Sequence, residues 1–266
     1  MKKWREMFST GYINEKDNWP DVTSSESSMI VSLLSAGTFF GALGAAPIAD
    51  KFGRRWGMIM ECVVFCFGVI LQTIATSIPL FVAGRFFAGL GVGLLSATIP
   101  LYQSETAPKW IRGTIVGAYQ LAITIGLLLA AIVNNSTKDR DDTGCYRIPI
   151  AVQFAWAIIL VVGMLILPET PRFLIKQDRY EEATKALARL RRMEMNDPAV
   201  VAELAEIQAN HDYEMSLGKA SYIEIVRGTL GKRLATGCAV QGLQQLAGVN
   251  FICMSPLTST TLSTPH

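Results

Sequence analysis

Charge is what this chain of 266 residues has least of: 17% of its positions are charged, half are apolar, and the mean hydropathy is +0.32. Few soluble domains of this size pair so much apolar side chain with so little charge. The charge present is gathered in one place, since residues 171–233 hold 11 Lys/Arg and 10 Asp/Glu. Elsewhere, charge-free runs cover 27–49, 62–84, 86–104, 113–137, 148–168 and 234–266. A bilayer is crossed by about 20 apolar residues in a helix. Each of the first five runs suits one crossing, and the sixth is long enough although its final third is not apolar. This distribution excludes a soluble enzyme, a nucleic-acid binder and a secreted disulfide scaffold. It implies an all-α, polytopic membrane bundle.

Histidine and paired cysteine are scarce as well. His211 and His266 stand far apart, and no H-x-x-x-H or C-x-x-C spacing occurs, so neither a metal nor another cofactor is expected. Cys62, Cys66, Cys238 and Cys253 lie in apolar runs, where a thiol acts as a small hydrophobe. Cys145 falls in a polar loop without an obvious partner, and free thiols are expected throughout. A net charge of +2 implies no anionic partner. The first 26 residues are polar and of mixed charge, without the basic-then-apolar start of a signal peptide.

The runs divide the chain as follows. Residues 1–26 form an extracytoplasmic polar segment with two interfacial tryptophans. Residues 27–168 form a transmembrane bundle, with helices over about 28–49, 56–76, 80–103, 113–135 and 148–168. Residues 169–233 make a charged cytoplasmic linker whose segments 178–194 and 198–215 have helical spacing. A sixth membrane helix covers 234–254, and 255–266 is a Ser/Thr-rich tail that cannot continue a lipid-facing helix. Counting Lys/Arg loop by loop with the DKFGRR turn (Asp50 to Arg55) inside gives 3, 2 and 11 on the cytoplasmic side against 4, 0 and 3 outside. The N-terminus then faces out without a signal peptide, which implies a preceding helix absent from this chain, so both ends read as truncated.

Several motifs carry two readings. GRFFAGLGVG (Gly84 to Gly93) resembles a dinucleotide loop superficially, but such a loop needs a strand before it. Inside an apolar helix its glycines permit close helix packing, and Gly37/Gly41, Gly89/Gly93 and Gly113/Gly117 share that spacing. Arg85 lies about a turn and a half into its helix and is either a functional or paired cation or one that snorkels. Glu61, similarly shallow, reads as snorkelling or paired with Arg54 or Arg55. Three turns carry acid–base sets: DKFGRR with Asp50, Arg54 and Arg55, PLYQSETAPKWIRG with Glu105 and Arg112, and PETPRFL with Glu169 and Arg172. All three fall at one cytoplasmic edge. Together they suit an ion-pair network that breaks and remakes as helix bundles rock.

These three turns, in that order and spacing, closely resemble the signature set of the sugar porter family in the major facilitator superfamily. QGLQQLAGVN (Gln241 to Asn250) resembles that family's seventh-helix signature, and the likeness runs over about residues 27–251. The stretch SLLSAGTFFGALGAAPIADKFGRR looks most like the fungal hexose-transporter branch. The resemblance implies a major facilitator fold of twelve helices in two halves, of which about six are present here as the family's second to seventh.

Independently of family, Gln241, Gln244, Gln245 and Gly248 fall on one helical face, and a break near Gly248 would return Asn250 to it. Gln120 lies within the 113–135 helix with Thr124 one turn on. Carboxamides donate and accept, which suits sugar hydroxyls; interhelical hydrogen bonding is the alternative. The resemblance assigns sugar binding to Gln120, Gln244, Gln245 and Asn250, with Gln241 a weaker candidate. It aligns Arg85 with a proton-coupling arginine whose acidic partner lies on the absent first helix. After Asn250 the family continues with aromatics where this chain has CMSPLT. Asn134 and Asn135 each begin an N-x-S/T sequon beside the membrane edge and are weak glycosylation candidates.

The expected function is transport of a monosaccharide, a hexose such as glucose, by alternating access, with protons as the coupling ion in the complete protein. The expected setting is a multi-pass position in the plasma membrane, without covalent catalysis. A non-transporting sugar sensor and an inactive transporter fragment are the alternatives.

Overall fold

A carboxylate opens the first long helix. Glu26 accepts from the Thr23 amide at 3.0 Å, which satisfies one donor at the helix start and draws the element's beginning back from the expected residue 28. The computed structural model describes residues 9, 12–14, 19–21, 23–108, 110–137, 142, 144–216 and 228–246. These fall into two compact bodies, residues 1–208 and 209–266. In the first, a short antiparallel ribbon, β1 (Tyr12–Asn14) paired with β2 (Trp19–Asp21), precedes the helices. The N-terminal segment expected to be merely polar therefore contains a ribbon.

Five long helices follow: α1 (Ser24–Phe52), α2 (Arg54–Ile74), α3 (Ile78–Thr106), α4 (Arg112–Thr137) and α5 (Gly144–Ile166). All five are long and apolar enough to cross a membrane. Each begins before its charge-free window because a helix continues through the headgroup layer, where charged ends are solvated, while α2 and α5 end within theirs. Three shorter helices, α6 (Pro171–Lys176), α7 (Tyr180–Arg191) and α8 (Pro198–Ser216), occupy the charged stretch. Leu174, Ile175, Ala183 and Ala186 make a small core of their own, with Leu204 and Ile207 against it.

The glycines explain how α1, α2 and α3 meet. On α1, Gly37 faces the Phe86 carbonyl of α3, and Gly41 faces the Leu90 carbonyl. Gly89 and Gly93 of α3 in turn face the carbonyls of Leu34 and Thr38. A side chain at any of the four would strike backbone, so small residues set the distance between these helices. A Cβ built on Gly91, on another face of α3, would lie 2.7 Å from Phe65 of α2. The Gly-rich run in α3 is thus a packing surface on two sides, as expected. Gly113 and Gly117 differ, because nothing lies within 4 Å of a Cβ built on either. Their shared spacing does not produce a contact among the described residues.

One end of the bundle closes over Ile30, Ala75, Ile78, Phe81, Val82, Cys145 and Tyr146. Cys145 is therefore a buried core thiol at the start of α5 and not a loop residue. The other end gathers Met58, Tyr102 and Met164. Glu61 also departs from expectation. It is 1% exposed and accepts from the Thr98 hydroxyl at 2.9 Å, with no ion pair to Arg54 or Arg55. Seven residues of helix put it about 10 Å along the axis from Arg54, beyond a guanidinium's reach.

The second body takes in the end of α8 and one further described helix, α9 (Gly228–Leu246). It starts six residues before the expected 234 and takes in Lys232 and Arg233. Within its described length it is not among the helices apolar enough to span, and the expected continuation to 254 and the tail 255–266 lie outside the described residues.

Candidate functional site

The chain reverses between α1 and α2 at Gly53, whose φ of 88° only glycine adopts without strain. Its amide closes α1 by donating to Ala49 O at 3.1 Å. The reversal leaves the first amides of α2 without carbonyl partners, and a glycine has no side chain to cap them. Glu169 supplies the cap from 115 residues away: Oε1 accepts from the Arg54 amide at 3.0 Å, and both oxygens accept from the Arg55 amide at 3.1 Å. The Thr170 amide donates to the same carboxylate at 3.0 Å. A negative charge at a helix N-terminus also suits the helix dipole.

The Arg54 side chain binds three further segments. Its guanidinium donates to Asp50 at 3.2 Å and to Glu105, at the far end of α3, at 3.0 Å. It also stacks 5.4 Å from the Phe173 ring centroid in α6. Both Arg54 and Glu105 are only 9% exposed at the side chain, whereas Asp50 is half-exposed and also pairs with Lys176 at 3.2 Å. Arg55 turns the other way and donates to the carbonyls of Met164 and Leu165 at 2.8 and 2.7 Å, a cation at the C-terminal end of α5. Tyr102 completes the ring of contacts by donating to Pro168 O at 2.8 Å.

Burial pushes the Glu169 carboxyl above the ordinary carboxylate range, against the lowering effect of its amide donors at Thr170, Arg55 and Arg54 and of the Arg54 charge. The residue is thus both the cap of α2 and a group poised to take a proton more readily than an exposed glutamate.

Of the seven residues expected at this edge, Asp50, Arg54, Arg55, Glu105 and Glu169 are joined. Arg112 and Arg172 are not: Arg172 is exposed, and the buried Arg112 Nε has no hydrogen-bond partner. Neither forms an ion pair among the described residues. Lys176 and Tyr102 belong to the cluster but were not among the expected residues. Lys176 lies on the same PETPRFLIK segment, seven residues past Glu169, and that nearness is the one signal for it. Tyr102 lies in the PLYQSETAPKWIRG turn, three residues before Glu105, but carries no charge to mark it. Arg191, which donates to Glu203 at 2.6 Å and to Thr106 O at 3.0 Å, ties α7 and α8 to the end of α3.

Gln120 is exposed on α4, Gln241 and Gln244 are exposed on α9, and Asn250 and the Gln245 side chain lie outside the described residues. Arg85 is half-buried in α3 with its guanidinium 5.3 Å from the Phe81 ring, and its Nε has no hydrogen-bond partner. Asn134 and Asn135 sit in the last turn of α4.

Apolar helices of spanning length, packed through glycines and fastened at one end by buried charge, define a multi-pass membrane protein of the major facilitator fold. The inward-open xylose transporter XylE from E. coli matches 94% of this chain over 56% of its own, with a TM-score of 0.70 and 23% identity. XylE bound to 6-bromo-6-deoxy-D-glucose matches 74% of this chain over 46% of its own, with a TM-score of 0.66 and 24% identity. At these identities the likeness shows the fold.

The chain belongs to the family described as "Sugar (and other) transporter", which matches residues 1–259. The major facilitator-type transporter ecdD of Aspergillus rugulosus is 65% identical over 95% of this chain and 46% of its own length. The Neurospora crassa protein described as "Probable glucose transporter rco-3" is 53% identical over 95% of this chain and 43% of its own. The high glucose sensor RGT2 of Saccharomyces cerevisiae is 40% identical over 92% of this chain and 34% of its own. The chain therefore spans less than half the length of these curated relatives.

Proposed function

We propose that this chain is part of a protein that carries a monosaccharide, a hexose such as glucose, across the plasma membrane by alternating access, coupled to protons. The observation that carries the reading is the buried Arg54–Glu105 pair together with the Glu169 cap on α2. With the Asp50–Lys176 and Tyr102–Pro168 contacts they tie the ends of α1, α2 and α3 to residues 168–176 through groups that can part without breaking a helix. An array of that kind holds one arrangement of a bundle until binding elsewhere favours another. The relatives described as glucose transporters support a hexose as the cargo.

In this reading Gln120, Gln244, Gln245 and Asn250, with Gln241 at the margin, bind sugar hydroxyls, Arg85 serves proton coupling, and Arg112 and Arg172 join the charge cluster in another state. No covalent step is involved. The test is hexose uptake by the complete protein carrying Gln244→Ala: saturable uptake is lost while the protein remains in the membrane. Wild-type uptake kinetics in that variant overturn the assignment of the sugar site. Likeness to the sensor RGT2 supports a second reading, a sugar sensor that does not transport. Glucose-dependent signalling by the complete protein in the absence of any uptake identifies that case.

A further inference from the structure

A groove of about 810 Å³ lies between the Gly53 turn, the head of α2 and the α6–α7 pair, within the first body. Its charged lining is Lys51, Arg55, Arg179, Lys185 and Arg189 against Glu169 and Glu182. Arg179 is satisfied by Glu182, at 2.6 Å to each oxygen. Arg55 and Arg189 reach the carbonyls of residues 164–166 at the end of α5. Lys51 and Lys185 carry no ion pair among the described residues, so the groove holds uncompensated positive charge.

Two features place an occupant at a membrane surface. The carbonyls held by Arg55 and Arg189 end a helix of spanning length, so the groove lies at headgroup depth. Its other wall begins with Trp56 and Met60, 54% and 49% exposed, and an interfacial tryptophan suits that depth. From there Val63, Phe67, Ile70 and Ile74 continue the exposed apolar stripe at three- and four-residue steps along the rest of α2. A soluble anion would use the lysines and leave the stripe bare, whereas a phospholipid matches both. We propose that this groove holds the headgroup of an anionic phospholipid whose acyl chain lies along the α2 stripe.

Native mass spectrometry of the full chain, released from phosphatidylcholine nanodiscs containing about one part in five phosphatidylserine, tests this. Wild-type protein should retain phosphatidylserine well above its share. Lys51→Gln with Lys185→Gln should lower that preference about fivefold per charge removed. Lys51→Arg with Lys185→Arg should keep it, as should Arg192→Gln, which removes an exposed cation outside the groove. An unchanged preference in the glutamine pair, or its loss in the arginine pair as well, overturns the proposal. Displacement of the lipid by inorganic phosphate at equal concentration overturns the lipid assignment and makes the groove a site for a soluble anion.

Discussion

α3 and α4 look alike on paper and differ sharply in the fold. Both exceed 25 residues, both are strongly apolar, α4 the more so, and both carry glycines four residues apart. Yet 44% of the most apolar stretch of α3 is buried within the bundle, and none of that of α4 is. Each glycine of the α3 pair meets a carbonyl of α1, while those of the α4 pair meet nothing. Apolarity therefore says that a helix belongs in a membrane and does not say whether its neighbour is protein. Close approach needs a complementary surface as well as a small residue.

The largest effect that sharpens this contrast concerns the arginines near the two helix ends. Arg54→Ala strands the buried Glu105 carboxylate and should lower stability by about 3–5 kcal/mol, read as a fall in thermal midpoint in detergent. Arg112→Ala, at the head of α4, should change it by less than about 0.5 kcal/mol. Equal losses at the two sites would abolish the distinction between a fastened and an unfastened helix.

The glycines come next. Gly93→Leu must push α3 away from the Thr38 carbonyl, with an expected cost of about 1–3 kcal/mol. Gly117→Leu enters open space and should stay within about 0.5 kcal/mol, by the same thermal measurement. A matching loss at Gly117 would mean that α4 has a close neighbour of its own.

The smallest effect is that of pH at Glu169. Its carboxyl holds a proton more tightly in the folded protein than the ordinary glutamate near 4.5 does. The stability linked to that proton is complete below the ordinary value and is lost as pH rises through the raised one. Glu169→Gln keeps an acceptor for the Arg54 and Arg55 amides but cannot titrate. It should flatten the pH dependence of hydrogen exchange at those amides, and an unchanged slope would assign the dependence to another group.

The five spans were legible because a bilayer imposes a length and forbids charge, and both are visible in one sequence. Their limits were less so. Glu26, Glu61, Arg147 and Arg233 all lie inside helices although they bound apolar runs, since a charge-free window marks hydrocarbon and not helix. In the charge cluster the participants Asp50, Arg54, Glu105 and Glu169 could be named from their turns. Their pairing could not. Arg54 chooses Glu105 across 51 residues, and Glu169 binds backbone amides, which carry no mark in a sequence. The ring of Phe173 under Arg54 and the hydroxyl of Tyr102 are equally silent, since an aromatic residue in an apolar segment reads first as core.

The Glu169 cap also bears on the order of events during synthesis. The first turn of α2 has no cap of its own at Gly53, and its partner follows 115 residues later. At ordinary elongation rates the ribosome takes roughly ten seconds to travel that far. Through that interval α2 is inserted with its leading amides reliant on water or headgroups, and α3, α4 and α5 are made before the start of α2 is finally secured. The segment that follows α5 thus delivers the fastening of α2.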